Sequence, residues 1–242
     1  MTAQFGADFD EYASDYEASL ELGISVSGES KVYFARGRVE WLRRCLRQLG
    51  EQPNAVFDFG CGVGTSITYL LDLLDAHSVV GIDASTKCLE IGKKQFSARR
   101  VEMVSLGDYR PESRLDLGFS NGVFHHIPPA EREAAMRLVY KSLRPGGIFS
   151  FWENNPWNPG TRYVMSRIPF DRDAITLSAF QARRLIQAAG FQILRVDFLF
   201  IFPRSLSWLR VLEPGLTKLP FGAQYQVLCR RPAGSCNTVT KP

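Results

Sequence analysis

The sequence predicts an α/β protein built on an open, largely parallel sheet. Three observations carry that expectation: short apolar runs alternate with amphipathic stretches from residue 55 to about 200, the stretches have helical spacing, and a glycine-rich turn follows the first run. The apolar runs at 55 to 59, 78 to 83, 101 to 106, 115 to 120 and 147 to 153 read as strands. Between the first two, Ile67, Leu70, Leu71 and Leu74 fall at i, i+3, i+4 and i+7, one covering face of a helix over residues 65 to 74. Leu89 and Phe96, two helical turns apart, suggest a second helix. Ala135, Leu138, Val139 and Leu143 mark a third, expected to stop at the turn Arg144-Pro145-Gly146-Gly147 before strand five. Ser178-Ala179-Phe180-Gln181 reads as a capping box that opens a further helix ended by Gly190. Residues 191 to 202 and 224 to 231 alternate apolar and polar side chains and are expected to close the sheet as an antiparallel edge pair.

A chain of 242 residues with 45% hydrophobic content is long enough for one large domain with elaborations. No run approaches the ~20 apolar residues of a membrane span, and residues 1 to 11 are acidic and aromatic, so neither span nor signal peptide is expected. Five scattered cysteines without a C-x-x-C pair predict reduced thiols in a cytoplasmic setting and no metal site. The net charge of +4 comes with isolated basic doublets such as Arg43-Arg44 and Arg230-Arg231. Solvated faces, rather than a nucleic-acid footprint, are the expectation. Residues 1 to 50, with Phe9, Tyr12, Tyr16 and a helix carrying Leu42, Cys45, Leu46 and Leu49, stand apart from the alternating pattern, as does an insert at 203 to 223. For the insert's Trp208, Leu209, Val211 and Leu212, core packing is expected, with a substrate wall, a dimer patch and a lipid-touching surface as alternatives. The main domain then runs over 51 to 232, and 233 to 242 is a small, polar tail.

The chemistry-bearing residues gather at strand ends. After the first run, Asp58-Phe59-Gly60-Cys61-Gly62-Val63-Gly64 leads directly into a helix, where an open α/β sheet binds its ligands. The glycines permit a sharp turn and close backbone approach. A dinucleotide fingerprint counted from Gly60 needs its third glycine at 65, where Thr65 stands, and that departure disfavours a nicotinamide oxidoreductase. Asp83 ends the second strand, where a carboxylate can accept both hydroxyl hydrogens of a ribose. Gly107-Asp108 ends the third, in place for the amino group of an adenine, and Ser120-Asn121-Gly122 ends the fourth, bordering the same cleft. Each has a structural alternative: Asp58 as a helix cap, Asp83 and Asp108 as turn residues, Asn121 as a loop-satisfying amide. Four polar groups at four successive strand ends argue for a ligand.

With D-F-G-C-G-V-G at 58 to 64, G-I-D at 81 to 83, G-D at 107 to 108, S-N-G-V-F-H-H-I at 120 to 127 and L-R-P-G-G at 143 to 147, the chain resembles the class I S-adenosylmethionine-dependent methyltransferases of the small-molecule type. The resemblance implies a Rossmann-like seven-stranded sheet of order 3-2-1-4-5-7-6 with its last strand antiparallel, helices on both faces and an N-terminal helical lid. It also implies S-adenosylmethionine as cofactor, with S-adenosylhomocysteine as product. On that reading the cofactor contacts are Tyr16, Asp58, Gly60, Cys61, Gly62, Gly64, Asp83, Ala84, Gly107, Asp108, Tyr109, Ser120, Asn121 and Gly122.

Methyl transfer needs mainly an aligned acceptor, and a base only where the acceptor must lose a proton. His125, His126 and Glu153 are the candidates for that base, with packing or loop hydrogen bonding as the alternative for the histidines. The polar and aromatic stretch from Trp152 to Asp173 is the expected acceptor-recognition loop, and Tyr33, Phe34, Arg36 and Arg38 join the lid. The expected function is transfer of a methyl group to a small molecule. The alternatives are a tRNA or protein acceptor, and a non-catalytic S-adenosylmethionine-binding regulatory module.

Overall fold

The computed structural model describes residues 27–168 and 174–233. Tyr16, with Phe9, Tyr12 and Asp171, lies outside them. The elements run α1 (Lys31–Leu49), β1 (Ala55–Phe59), α2 (Thr65–Leu74), β2 (Ser78–Asp83), α3 (Thr86–Gln95), β3 (Val101–Ser105) and β4 (Leu115–Asn121). They continue with α4 (Arg132–Ser142), β5 (Leu143–Asn154), α5 (Pro159–Arg167), α6 (Ala179–Ala188), β6 (Gln192–Leu199), a 3-10 segment (Arg204–Leu212), α7 (Glu213–Leu216) and β7 (Gln224–Arg230). The strands form one sheet of order β3-β2-β1-β4-β5-β7-β6. Pairing is parallel from β3 to β5, while β7 runs antiparallel to both β5 and β6, as the resemblance implies.

Side chains alternate across a strand, so each strand feeds two cores. Phe57 and Phe59 of β1, Phe149 and Phe151 of β5, and Tyr225 and Val227 of β7 pack with α4 and α6 on one face. Val56, Ile148, Trp152 and Leu228 pack on the other with Val39, Leu42, Cys45 and Leu46 of α1 and with α2. The helix expected to belong to a lid is therefore built into the core, and its last turn closes on Gly50 in the left-handed conformation. Buried polar groups on that face pair with one another: Ser150 Oγ accepts from Trp152 Nε1 at 2.9 Å and from Gln226 Nε2 at 2.8 Å.

Some boundaries depart from the pattern. Leu143, read as the last apolar position of a helix, instead begins β5, because the register slips between Leu115 and Leu117 and pulls Arg144 to Gly147 into an irregular strand start. β6 stops at Leu199, where Phe200 takes φ +61 and turns the chain away from the sheet. Core packing of the insert is overturned: no residue of the 3-10 segment is buried, and Trp208 is 72% and Val211 80% exposed. Among the described residues no helix is long and apolar enough to cross a membrane.

Candidate functional site

The turn after β1 is tied to β2 along its length. Gly60 N and Cys61 N both donate to Ile82 O, at 2.8 and 3.1 Å. Gly62 N donates to Asp83 Oδ2 at 2.7 Å, and Ser85 N to Asp83 Oδ1 at 2.8 Å. Asp83 thus fixes the glycine turn as well as facing the cleft, and a carboxylate retains acceptor capacity beyond these two bonds. The glycines differ in purpose. At Gly64 (φ +90) a Cβ would lie 2.4 Å from the Phe96 ring, so closeness of helix and core decides that position. At Gly62 (φ +53) a Cβ would meet nothing within 4 Å, so the space it faces is open.

That space is a cavity of about 190 Å³. Of the predicted cofactor residues, Asp58, Gly60, Cys61, Gly62, Asp83, Ala84, Asn121 and Gly122 line it, and so does His126. Gly64, Gly107, Asp108, Tyr109 and Ser120 do not. Asp108 sits on the outer side of the β3 end, where its Oδ2 accepts from Ser105 Oγ at 3.0 Å. Tyr109 turns inward against the core beside α4, and burial raises its hydroxyl pKa. Ser120 Oγ is buried and without a partner among the described residues. The sequence reading did not name Cys88, Leu106, Val123, Ile127 and Glu131 as contacts, and they are part of the wall. Four of them are ordinary packing types and Glu131 is a helix N-cap position, so none carries a local signal.

Two groups in this cavity carry unusual electrostatics. Asp58 is 3% exposed, and burial together with the neighbouring Asp83 pushes its carboxyl up to about 8, against the opposing pull of Arg38. Burial likewise pushes the Cys61 thiol well up, leaving it a neutral contact. Asn121 Oδ1 is buried without a hydrogen-bond partner among the described residues.

A second cavity of about 350 Å³ adjoins the first, and Lys31, Arg38, Asn121, Gly122 and His126 line both. Its walls bring Tyr33 and Phe34 of α1 together with Met165 of α5 and with Phe200, Phe202 and Gln224 beyond β6. From the expected recognition loop, Asn154, Asn158 and Thr161 reach it, whereas Trp157 is 59% exposed and Asn155 is spent holding the carbonyls of Pro220 and Gly222. Arg36 pairs with Glu40 on the outside of α1. Arg38 Nη1 donates to Gln224 Oε1 at 2.9 Å, and Arg210 pairs with Glu29 at 2.9 Å.

The three candidate bases occupy different places. His125 and His126 line the larger cavity, their rings 4.1 Å apart. Glu153 lines neither cavity and is 1% exposed. Its Oε1 accepts from Phe124 N at 2.7 Å, and its Oε2 stands 2.5 Å from His125 Nδ1. The structure therefore takes Glu153 away from direct contact with a ligand, because β5 projects it behind the loop. The loop itself is pinned from α4, where Arg132 donates to Ile127 O and Ile175 O, while Ile175 N donates to His125 O at 3.0 Å.

Residues 56–147 match the family described as methyltransferase domain. Among curated proteins, a trans-aconitate 2-methyltransferase of Sinorhizobium fredii is 33% identical over 128 residues, covering 52% of this chain and 49% of that protein. A Drosophila melanogaster tRNA N(3)-methylcytidine methyltransferase is 31% identical over 111 residues, covering 41% of this chain and 34% of that one. The chain spans about half the length of the curated relatives it matches first. An S-adenosylmethionine-dependent methyltransferase from Mesorhizobium loti shares the fold, with TM-score 0.57 at 20% identity over 80% of this chain and 98% of that one. Residues 56–147 are thus a methyltransferase domain by the family model they match, and the sheet and helices around them have the fold of that solved S-adenosylmethionine-dependent methyltransferase.

Proposed function

We propose that this chain transfers the methyl group of S-adenosylmethionine to a small molecule bound in the larger cavity. The observation that carries the proposal is the shared wall of the two cavities, where Arg38, Asn121, Gly122 and His126 face both. A methyl donor in one cavity and an acceptor in the other meet across that wall, and the alignment itself supplies most of the rate. A volume of about 350 Å³ suits a metabolite rather than a polymer.

The smaller cavity fits the donor on its own features. Asn121 Oδ1 is a buried acceptor with no described partner, Asp83 offers a carboxylate to ribose hydroxyls, and Gly62 leaves open space for close approach. Asp58 beneath the turn offers a carboxyl, raised to about 8 by burial and Asp83, that a cationic amino acid moiety would draw into its ionised form. The bound donor supplies a methyl group on a sulfonium, already a good leaving group. The residues of this chain bind, orient and exclude water. The alternative with a macromolecular acceptor draws on the tRNA-modifying relative, but the basic residues of this chain form no clustered stripe in sequence. A cytoplasmic location is supported by four buried free cysteines, Cys45, Cys61, Cys88 and Cys229.

Thermal-shift measurement with S-adenosylmethionine, S-adenosylhomocysteine and NAD tests the cofactor. A ligand at ~100 times its dissociation constant adds about 2.7 kcal/mol, so the first two should raise the midpoint and NAD should not. Stabilisation by NAD alone sinks the proposal. Turnover assays then begin with trans-aconitate, the acceptor that the relatives' name gives, beside hydroxyl-bearing metabolites and unmodified tRNA.

A further inference from the structure

We infer that the protein rests on an anionic lipid surface through the exposed apolar side chains of the 203 to 223 insert and of the turn into α5. The inference goes beyond the methyltransferase reading and does not depend on it. Of the large apolar side chains exposed among the described residues, more than half come from residues 155–168 and 201–223, so they gather on one part of the molecule instead of standing singly. Hydrogen bonds join the two stretches: Asn155 Nδ2 donates to the carbonyls of Pro220 and Gly222, and Asn158 Nδ2 to that of Phe221. Trp157 and Phe221, 59% and 60% exposed, therefore stand on neighbouring loops.

The 3-10 segment is turned with its polar row inward. Beyond the kink at Leu206, the three-residue turn aligns Trp208 with Val211, Leu209 with Leu212, and Ser207 with Arg210. Arg210 holds the body of the protein: it pairs with Glu29, donates to Phe202 O, and lies over the Tyr33 ring at 4.6 Å. Arg204, before the kink, donates to Gly28 O. The apolar rows face outward, with Trp208 72%, Val211 80% and Leu212 54% exposed, and none of these three lines either cavity. A helix on a globular protein ordinarily has the opposite arrangement, and this one leaves apolar surface in water unless a second apolar phase covers it.

Charge selects that phase. The two stretches carry Arg162, Arg167, Arg204, Arg210 and Lys218 against one acid, Glu213, whose Oε1 is turned inward to accept from Ile201 N at 3.0 Å. Arg210 is offset by Glu29 and Lys218 by Asp197, which leaves Arg162, Arg167 and Arg204 in excess. Two copies meeting through this face would bring like charges together, which disfavours a symmetric dimer. An anionic bilayer meets both requirements: tryptophan and aliphatic side chains enter the headgroup boundary while arginines meet lipid phosphates. Attachment is at the interface, since no helix among the described residues is long and apolar enough to cross. The same two stretches wall the larger cavity through Thr161, Met165, Phe202 and Arg210, so a seated protein holds that cavity close to the lipid.

Sedimentation of the full chain with vesicles of phosphatidylcholine alone, and of phosphatidylcholine mixed with phosphatidylglycerol, tests the inference. The protein should pellet with the anionic vesicles, bind the neutral ones at least ~10-fold more weakly, and be partly released by salt. Trp208→Ser combined with Val211→Ser should lower vesicle affinity at least ~10-fold and leave the melting temperature and the response to S-adenosylmethionine unchanged, because both side chains are exposed and line neither cavity. Arg162→Gln and Arg167→Gln should each lower it about 5-fold. Headgroup-proximal brominated lipid should quench tryptophan fluorescence in the wild type and quench it less in Trp208→Ser. Wild-type protein that stays in the supernatant with anionic vesicles at low salt overturns the inference. So does undiminished pelleting of the double serine variant, which assigns the binding to charge alone. A dimer in light scattering that this variant converts to monomer also overturns it, and assigns the face to a second copy. These three results leave the methyltransferase reading intact, whereas absence of stabilisation by S-adenosylmethionine removes that reading and leaves the vesicle result standing.

Discussion

Asp58 is the residue at which burial, charge and the proposed donor are most directly coupled. Burial first, and then Asp83, lift its carboxyl to about 8, so without ligand it is largely neutral at pH 7. A folded-state pKa above the unfolded value of ~3.9 gives a stability contribution that is full below pH ~4 and is lost as pH rises through about 8. The ligand-free protein should therefore lose melting temperature across that window, and Asp58→Asn should flatten the profile. A cationic ligand favours the ionised carboxylate, so the sign for binding is opposite. Affinity for S-adenosylmethionine should strengthen as pH rises toward about 8 and level off above it, with proton release detectable by calorimetry in buffers of different ionisation enthalpy. The glycines offer a second contrast. Gly62→Ala meets open space and should cost only the left-handed backbone penalty, about 1–2 kcal/mol, while placing a methyl group where the ligand approaches. Gly64→Ala drives a Cβ into Phe96 and should destabilise the fold severely. Chemical denaturation alongside ligand titration separates the two: Gly62→Ala stays folded and loses affinity, and Gly64→Ala loses the folded state.

Elements with a clean period were legible in the sequence, because a period of 3.6 or 2 is imposed by the same face-by-face burial that the structure shows. The helix from Thr65 to Leu74 has the bounds that Ile67, Leu70, Leu71 and Leu74 imply, and all four are buried. The helix from Ala179 to Ala188 has its capping box, with Ser178 Oγ accepting from Gln181 N at 3.3 Å and Gln181 Oε1 from Ser178 N at 2.9 Å. Ser178→Ala should cost about 1 kcal/mol. For a chain of this size that is roughly 2–4 °C in melting temperature, readable by calorimetry, with ligand affinity unchanged. Periodicity was silent where a neighbour decides the outcome. Leu143 fits the helical face as well as the strand it begins, and only pairing with β4 selects the strand. The insert's Trp208, Val211 and Leu212 have the composition of a core, but the 3-10 segment turns them outward, and composition carries no information about what lies opposite.

At the scale of the whole molecule, the two halves of the site were unequally legible because they are assembled differently. The proposed donor half lies at the ends of β1, β2 and β4, neighbouring turns at the carboxyl ends of a parallel sheet, so sheet order gathers Asp58, Asp83 and Asn121. The proposed acceptor half draws on α1, α5, the 3-10 segment and the start of β7, segments distant in sequence that meet only when the antiparallel pair closes the sheet. Arg38 joins the halves. It lines both cavities, its charge opposes the upward shift of Asp58, and its Nη1 reaches Gln224, 186 positions away. Replacing it should therefore act on both ligands, whereas replacing Gln224, which lines only the acceptor cavity, should act on one. Arg38→Gln should weaken S-adenosylmethionine binding and move the pH dependence of that binding upward, as Asp58 loses a neighbouring cation, and it should raise the acceptor KM as well. Gln224→Ala should raise the acceptor KM and leave donor affinity near wild type. In the double variant the two effects on KM should fall short of additive, since residues sharing one hydrogen bond couple, and a strictly additive cycle measured by calorimetry and initial rates would show that the two cavities are not linked through this arginine.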